Sequence, residues 1–122
     1  MTIRRFEDLD VWQRAAKLSA DIYRQLAKLR DFGFRDQITR SGLSISSNIA
    51  EGFERISAKE KITFMNYAKG SCGELRSQTY IGIEIGYIDK EVGQHWQQEA
   101  SEISAMLVGL IKAQKSYIKA NC

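Results

Sequence analysis

Not one proline interrupts the 122 residues of this chain, and apolar side chains recur along it at steps of three and four. Proline is the residue that helix interiors exclude most strongly. The three-to-four step is the rhythm of one helix face, not of a strand. No stretch shows the two-residue alternation between turn residues that a sheet needs. The expected class is all-α, which leaves open how the helices divide and what they carry.

Periodicity divides the chain into four helices, roughly 8–30, 34–54, 57–87 and 89–118. In the first, Trp12, Ala15, Ala16, Ser19, Ile22, Tyr23, Leu26 and Leu29 share a face, with Asp8 as N-cap and Gly33 as stop. In the second the face is Phe34, Ile38, Gly42, Ile45, Ile49 and Phe53. The third opens on SAKE, where Ser57 and Glu60 have capping-box spacing. One of its faces is Met65, Ala68, Cys72, Leu75, Thr79 and Gly82. An adjacent one is Phe64, Tyr67, Ser71, Glu74, Gln78, Ile81 and Ile85. Asp89 caps the fourth, whose seam is Val92, Trp96, Ala100, Ile103, Leu107, Leu110, Gln114 and Tyr117. Connections of a few residues make consecutive helices antiparallel neighbours, so the expected architecture is an up-down-up-down four-helix bundle occupying 1–122 as one domain.

The third helix is apolar or small over an arc wider than one bundle face requires. It also carries Gly70, Gly73, Gly82 and Gly86, each costing up to about 1 kcal/mol against alanine in an exposed helix interior. Such glycines suit the close approach of another backbone, so a second subunit is expected against this helix.

Charge is unevenly spread. Residues 1–40 hold nine Lys/Arg against six Asp/Glu, residues 41–111 hold six against nine, and Lys112, Lys115 and Lys119 follow unopposed. The basic excess thus sits at both ends, in Arg4, Arg5, Arg14, Lys17, Arg24, Lys28 and Arg35 and in the three terminal lysines. Lys112, Lys115 and Lys119 step by three and four and line one helix face that could track a phosphate backbone. The same cations are equally compatible with solvated helix faces. The sequence carries no zinc finger, basic zipper or aromatic RNA-binding strand.

Catalytic chemistry finds little support. A di-metal carboxylate bundle needs Glu-x-x-His on each of two helices, but the single histidine, His95, has no Glu three residues before it. Cys72 reads as a small core residue, and it forms no metal or disulfide spacing with Cys122. No Gly-rich strand-to-helix turn exists for a nucleotide phosphate. No enzyme activity, metal or cofactor is expected. With no signal peptide and no apolar run long enough to span a bilayer, the cytosol is the default compartment.

Several stretches together carry a family resemblance. The most specific is SNIAEG, Ser47 to Gly52. Supporting it are FEDLDVWQRA, FGFRDQITRS and FMNYAKGSCGEL, and the run Ile85, Gly86, Tyr87, Ile88. The chain resembles the small four-helix-bundle proteins encoded in intervening sequences of bacterial 23S rRNA genes. They are often labelled S23 ribosomal proteins and are related to the accessory protein of diversity-generating retroelements. Two departures stand out. Ser46 replaces a proline common before Ser-Asn, and Thr39, Arg40 and Ser41 stand where Arg-Arg-Ala is usual, removing one arginine from any basic patch there.

The resemblance implies an antiparallel bundle assembled into a homopentameric ring, binding of RNA or DNA through basic surfaces, and, as in the retroelement relatives, association with a reverse transcriptase. A ring would repeat each basic face several-fold. Asn48 and Glu51, three apart inside an otherwise apolar seam, are read as part of a hydrogen-bonded polar cluster. Glu74 is the neighbour on helix three, and Arg40, Arg76 and Tyr80 are donors. The cluster would fix helix register or the subunit contact. The expected function is a non-enzymatic oligomeric scaffold for nucleic acid, RNA ahead of DNA, or for a protein acting on it. The alternative is a protein-interaction module with no nucleic-acid binding.

Overall fold

The computed structural model describes residues 2–121. A 3-10 turn at Phe6–Asp8 leads into four helices: α1 (Asp10–Gln25), α2 (Phe32–Glu54), α3 (Ala58–Glu84) and α4 (Lys90–Ala120). Each packs on its neighbour in sequence, and α4 closes back onto α1. The pairings run in opposite directions. Ser41 meets Glu74 while Ser44 meets Ser71, and Arg14 meets Glu99 while Asp21 meets Trp96. The molecule is the antiparallel four-helix bundle that the periodicity predicts, and no strand occurs among the described residues.

Its core follows the predicted faces of α2 and α3 closely. Ile38, Ile45 and Ile49 from α2 and Ala68, Cys72 and Leu75 from α3 are buried with Ala15, Leu18 and Ile22 of α1. On α4 the middle of the predicted row, Trp96, Ala100, Ile103 and Leu107, is buried together with Gly93 and Ile111, while Val92, Leu110 and Gln114 are half-buried and Tyr117 is exposed.

Three boundaries differ from expectation, each for a local reason. Asp8 does not cap α1. It lies in the 3-10 turn, and the N-cap is Leu9, which makes no side-chain cap bond. That entry is held by Phe6 packed edge-on against Trp12 and by Gln13 Nε2 donating to the Glu7 carbonyl at 2.9 Å. α1 stops at Gln25 because Asp31 takes the N-cap of α2, accepting from the Phe34 amide at 3.1 Å, which places Gly33 inside α2. α3 ends at Glu84 because Gly86 adopts φ +78° and the Tyr87 and Ile88 amides return to the Gly82 carbonyl. The caps read at Ser57 and Asp89 are present, accepting from the Glu60 and Val92 amides.

Of the α3 glycines, only Gly82 lies where the chain itself comes close. A Cβ there would stand 2.3 Å from Ile88 Cδ1 and 3.0 Å from Phe34 Cζ. Gly70 and Gly73 meet nothing within the chain. The outer face of α3 leaves Tyr67, Ile81 and Ile85 more than half exposed.

Candidate nucleic-acid interface

The cations read from the sequence fall into two rows with different surroundings. Arg14, Lys17 and Arg24 belong to α1 and Lys28 to the turn that follows it. Arg14 is committed to structure: its guanidinium donates to both oxygens of Glu99 and, at 2.7 Å, to Glu102 Oε1. Those two carboxylates raise the Arg14 pKa further above its usual value, and Arg14, with Gln98, holds the Glu102 carboxyl below its usual range. Asp21 lies in the same row and accepts from the buried Trp96 indole at 2.7 Å. Lys17, Arg24 and Lys28 are exposed, but the row around them carries acids.

On the N-terminal arm, Arg5 pairs with Glu7 and Asp8, and Arg4 is exposed. Arg35 lies 4.7 Å over the Phe32 ring and reaches the Leu29 carbonyl, so it finishes the α1–α2 corner. Arg14, Arg5 and Arg35 therefore contribute less free positive potential than their count in the sequence implies.

The second row is on α4. Lys112, Lys115 and Lys119 are exposed on one face, and among the described residues none forms an ion pair. Extended upstream at the same steps of four and three, that face continues through Val108, Ser104, Ser101, Gln97 and Gln94 and contains no acid. The α4 carboxylates Glu99 and Glu102 turn the other way, toward Arg14. A three-four spacing signals the lysines in sequence, but not that the opposing acids are turned away.

The expected polar cluster does not form as one network. Glu51 is exposed and pairs with Arg55 one turn on, while Arg55 also reaches Glu60 at 3.3 Å and lies 4.7 Å over the Phe64 ring. Asn48 is half-buried and donates to the Ser44 carbonyl and hydroxyl at 2.8 and 2.9 Å, and Ser71 of α3 donates to the same hydroxyl. Glu74 accepts separately from Ser41 at 2.7 Å. The two side chains are only about 60° apart around the helix axis, but they reach in opposite directions along it: Asn48 bonds back to Ser44 and Glu51 forward to Arg55. Arg40 is exposed beside Tyr23 and Leu43, facing α1. Arg76 and Tyr80 face α4, in a groove with Gln94, Gln97, Gln98 and Ser101. Gly52 completes the SNIAEG motif as a contact point, since a Cβ there would stand 3.0 Å from Phe64 Cβ. The motif thus sets the α2–α3 crossing through Asn48, Ile49 and Gly52.

The chemistry of the remaining groups is quiet. Burial pushes the Cys72 thiol up to about 12, which keeps it protonated. Cys122 lies outside the described residues. His95 is exposed, and among the described residues no three His, Cys, Asp or Glu side chains gather as metal ligands. A cavity of about 150 Å³ at one bundle end is lined mainly by Leu9, Ile49, Phe53, Met65, Leu107 and Leu110. No described helix is long and apolar enough to cross a membrane.

Comparison with known proteins matches this architecture. A sequence profile described as 23S rRNA-intervening sequence protein matches residues 7–109. A solved structure of a protein with unknown function, from the S23 ribosomal protein family of Bacteroides thetaiotaomicron, superposes with a TM-score of 0.78 at 27% identity. The alignment covers 84% of this chain and 98% of that one. No curated protein matches the chain.

Proposed function

Because the chain belongs to the 23S rRNA-intervening sequence protein family, we propose that it is a non-enzymatic oligomeric scaffold that binds nucleic acid, RNA ahead of DNA. The observation that carries this reading is the α4 row, three exposed lysines on one face with no acid in the row and with the α4 carboxylates Glu99 and Glu102 engaged by Arg14. Lys112, Lys115 and Lys119 lie beyond the residues the family profile matches, so the reading rests on this chain's own charges. Three cations bind a phosphate backbone modestly. Repetition by identical subunits multiplies the counterions released and with them the affinity. Tyr67, Ile81 and Ile85, exposed beside the open Gly70 and Gly73, supply an apolar face of the kind a subunit contact covers.

The same apolar face supports a second reading, a protein-interaction module whose partner is a nucleic-acid enzyme such as a reverse transcriptase and whose lysines are solvated. A salt titration of binding to structured RNA and duplex DNA separates the two, on protein whose mass in solution has been determined. Affinity that falls steeply between about 50 and 200 mM salt, from an oligomer, supports the scaffold. Flat or absent binding refutes it and leaves the interaction module. A clean monomer at micromolar concentration refutes the oligomer.

A further inference from the structure

The groove between α3 and α4 is lined throughout by hydrogen-bonding side chains: Arg76 and Tyr80 on one wall, Gln94, Gln97, Gln98 and Ser101 on the other. Its volume is about 310 Å³. Among the described residues, only Gln98 of these six side chains has a hydrogen-bond partner, Glu102 at 2.6 Å. The Gln97 amide nitrogen is fully buried and has none. A donor sealed from water without an acceptor is a standing cost to the fold, which the side chain of Gln97, a lining residue, would relieve by turning out to an acceptor in the groove. Tyr80, 60% exposed, offers a flat ring at the rim, and among the described residues the exposed Arg76 forms no ion pair.

We propose that this groove takes an unstacked nucleobase with its phosphate, as part of a single strand that continues along the α4 lysines. This rests on the nucleic-acid reading above and deepens it. The three parts of a nucleotide each find a matched group. A planar base stacks on Tyr80. The glutamine amides, each donor and acceptor at once, meet the mixed donors and acceptors of a base edge. Arg76 meets the phosphate. The groove is also in line with the lysines, because Gln94, Gln97 and Ser101 belong to the same α4 row. Lys112 follows Ser101 about 16 Å along the helix axis. An acidic peptide would engage Arg76 and the lysines equally well, but would leave Tyr80 and the paired glutamine amides without a role.

The test uses the full chain, with 5′-nucleoside monophosphates, ribose 5-phosphate and a short single-stranded RNA as probes. Binding is measured by calorimetry and anisotropy for wild type, Gln97→Met, Tyr80→Leu and a Lys112→Gln/Lys115→Gln double variant. The groove predicts that monophosphates bind better than ribose 5-phosphate. It also predicts that Q97M and Y80L each weaken RNA about tenfold with an unchanged salt slope. The lysine variant should flatten the slope and leave monophosphate binding intact. Tyr80 is at the surface and Gln97→Met keeps the side-chain volume, so folding is preserved, which circular dichroism checks. An abasic strand that binds as tightly as the normal one overturns the groove. So do Q97M and Y80L variants that bind RNA like wild type, or that change only the mass in solution. In those cases the lysine row stands or falls by its own salt slope. Monophosphate binding without strand binding supports the groove as a site for free nucleotides and removes the scaffold reading.

Discussion

The two basic rows, Arg14, Lys17, Arg24 and Lys28 along α1 and the turn after it and three lysines on α4, look alike in sequence, and they do opposite work. On α1, Arg14 is clasped by Glu99 and Glu102, and Asp21 interrupts the remaining cations while bonding Trp96. On α4, Lys112, Lys115 and Lys119 face water with no acid in the row. The carboxylates that decide this come from another helix or from a neighbouring face. A cation therefore belongs to the fold or to the solvent according to what packing brings opposite it. Paired and partly buried, it stabilises a seam. Unpaired, it contributes field.

The comparison breaks most visibly if the α4 row is removed. Replacing Lys112, Lys115 and Lys119 together with Gln should lower RNA affinity at low salt by at least tenfold or so and reduce the salt slope by about two per subunit. Thermal melting should stay within about 0.5 kcal/mol of wild type, as for other surface changes. Anisotropy titrations at several salt concentrations check both. Unchanged affinity would return these lysines to plain surface.

Next in size is Arg14→Gln, which leaves Glu99 and Glu102 side by side without their cation. The expected loss is about 1–2 kcal/mol of stability, read by urea unfolding, with RNA affinity unaltered below the transition. Loss of RNA binding without loss of stability would put Arg14 in the interface after all. Glu102→Gln sharpens the contrast by removing an acid while Arg14 keeps Glu99. RNA should bind about twofold tighter at low salt, and the gain should vanish at high salt.

The smallest effect involves neither row and serves as a control. Asp31 accepts from the Phe34 amide and from the Tyr87 hydroxyl at 2.9 Å, and these bonds, in that order, hold its carboxyl below the usual range. The stabilisation is present above the ordinary carboxylate pKa near 4 and is lost as pH falls through the lower folded value. Melting from pH 6 to about 3 should therefore show an acid destabilisation that is smaller in Asp31→Asn. Equal losses in the two proteins would place the acid-sensitive groups elsewhere.

Sequence periodicity placed the four helices, their order and most of the core, because each needs only knowledge of one helix at a time. Ala68, Cys72, Leu75, Thr79 and Gly82 all lie buried on the face read for them. The family motif SNIAEG was also legible, but its division of labour was not. Asn48 and Glu51 look like one pair in sequence, but each takes a different partner along α2, Ser44 and Arg55. Arg14 and Arg35 read as free cations because their partners, Glu99, Glu102 and the Phe32 ring, are recruited by packing. The groove residues Gln94, Gln97 and Ser101 carried no signal at all. A glutamine on a polar helix face becomes notable only when its amide is sealed without a partner.

α4 is 31 residues long against 16 for α1, and its last buried side chain is Ile111. The turns from Lys112 onward therefore extend past the core, where backbone opening costs little and amide protons exchange fastest. The proposed phosphate-contacting lysines ride on the part of the helix that frays first. A strand bound there would hold those turns closed, so engagement should appear as slowed amide exchange at the end of α4. The core amides around Leu75 and Ile103 should exchange as before.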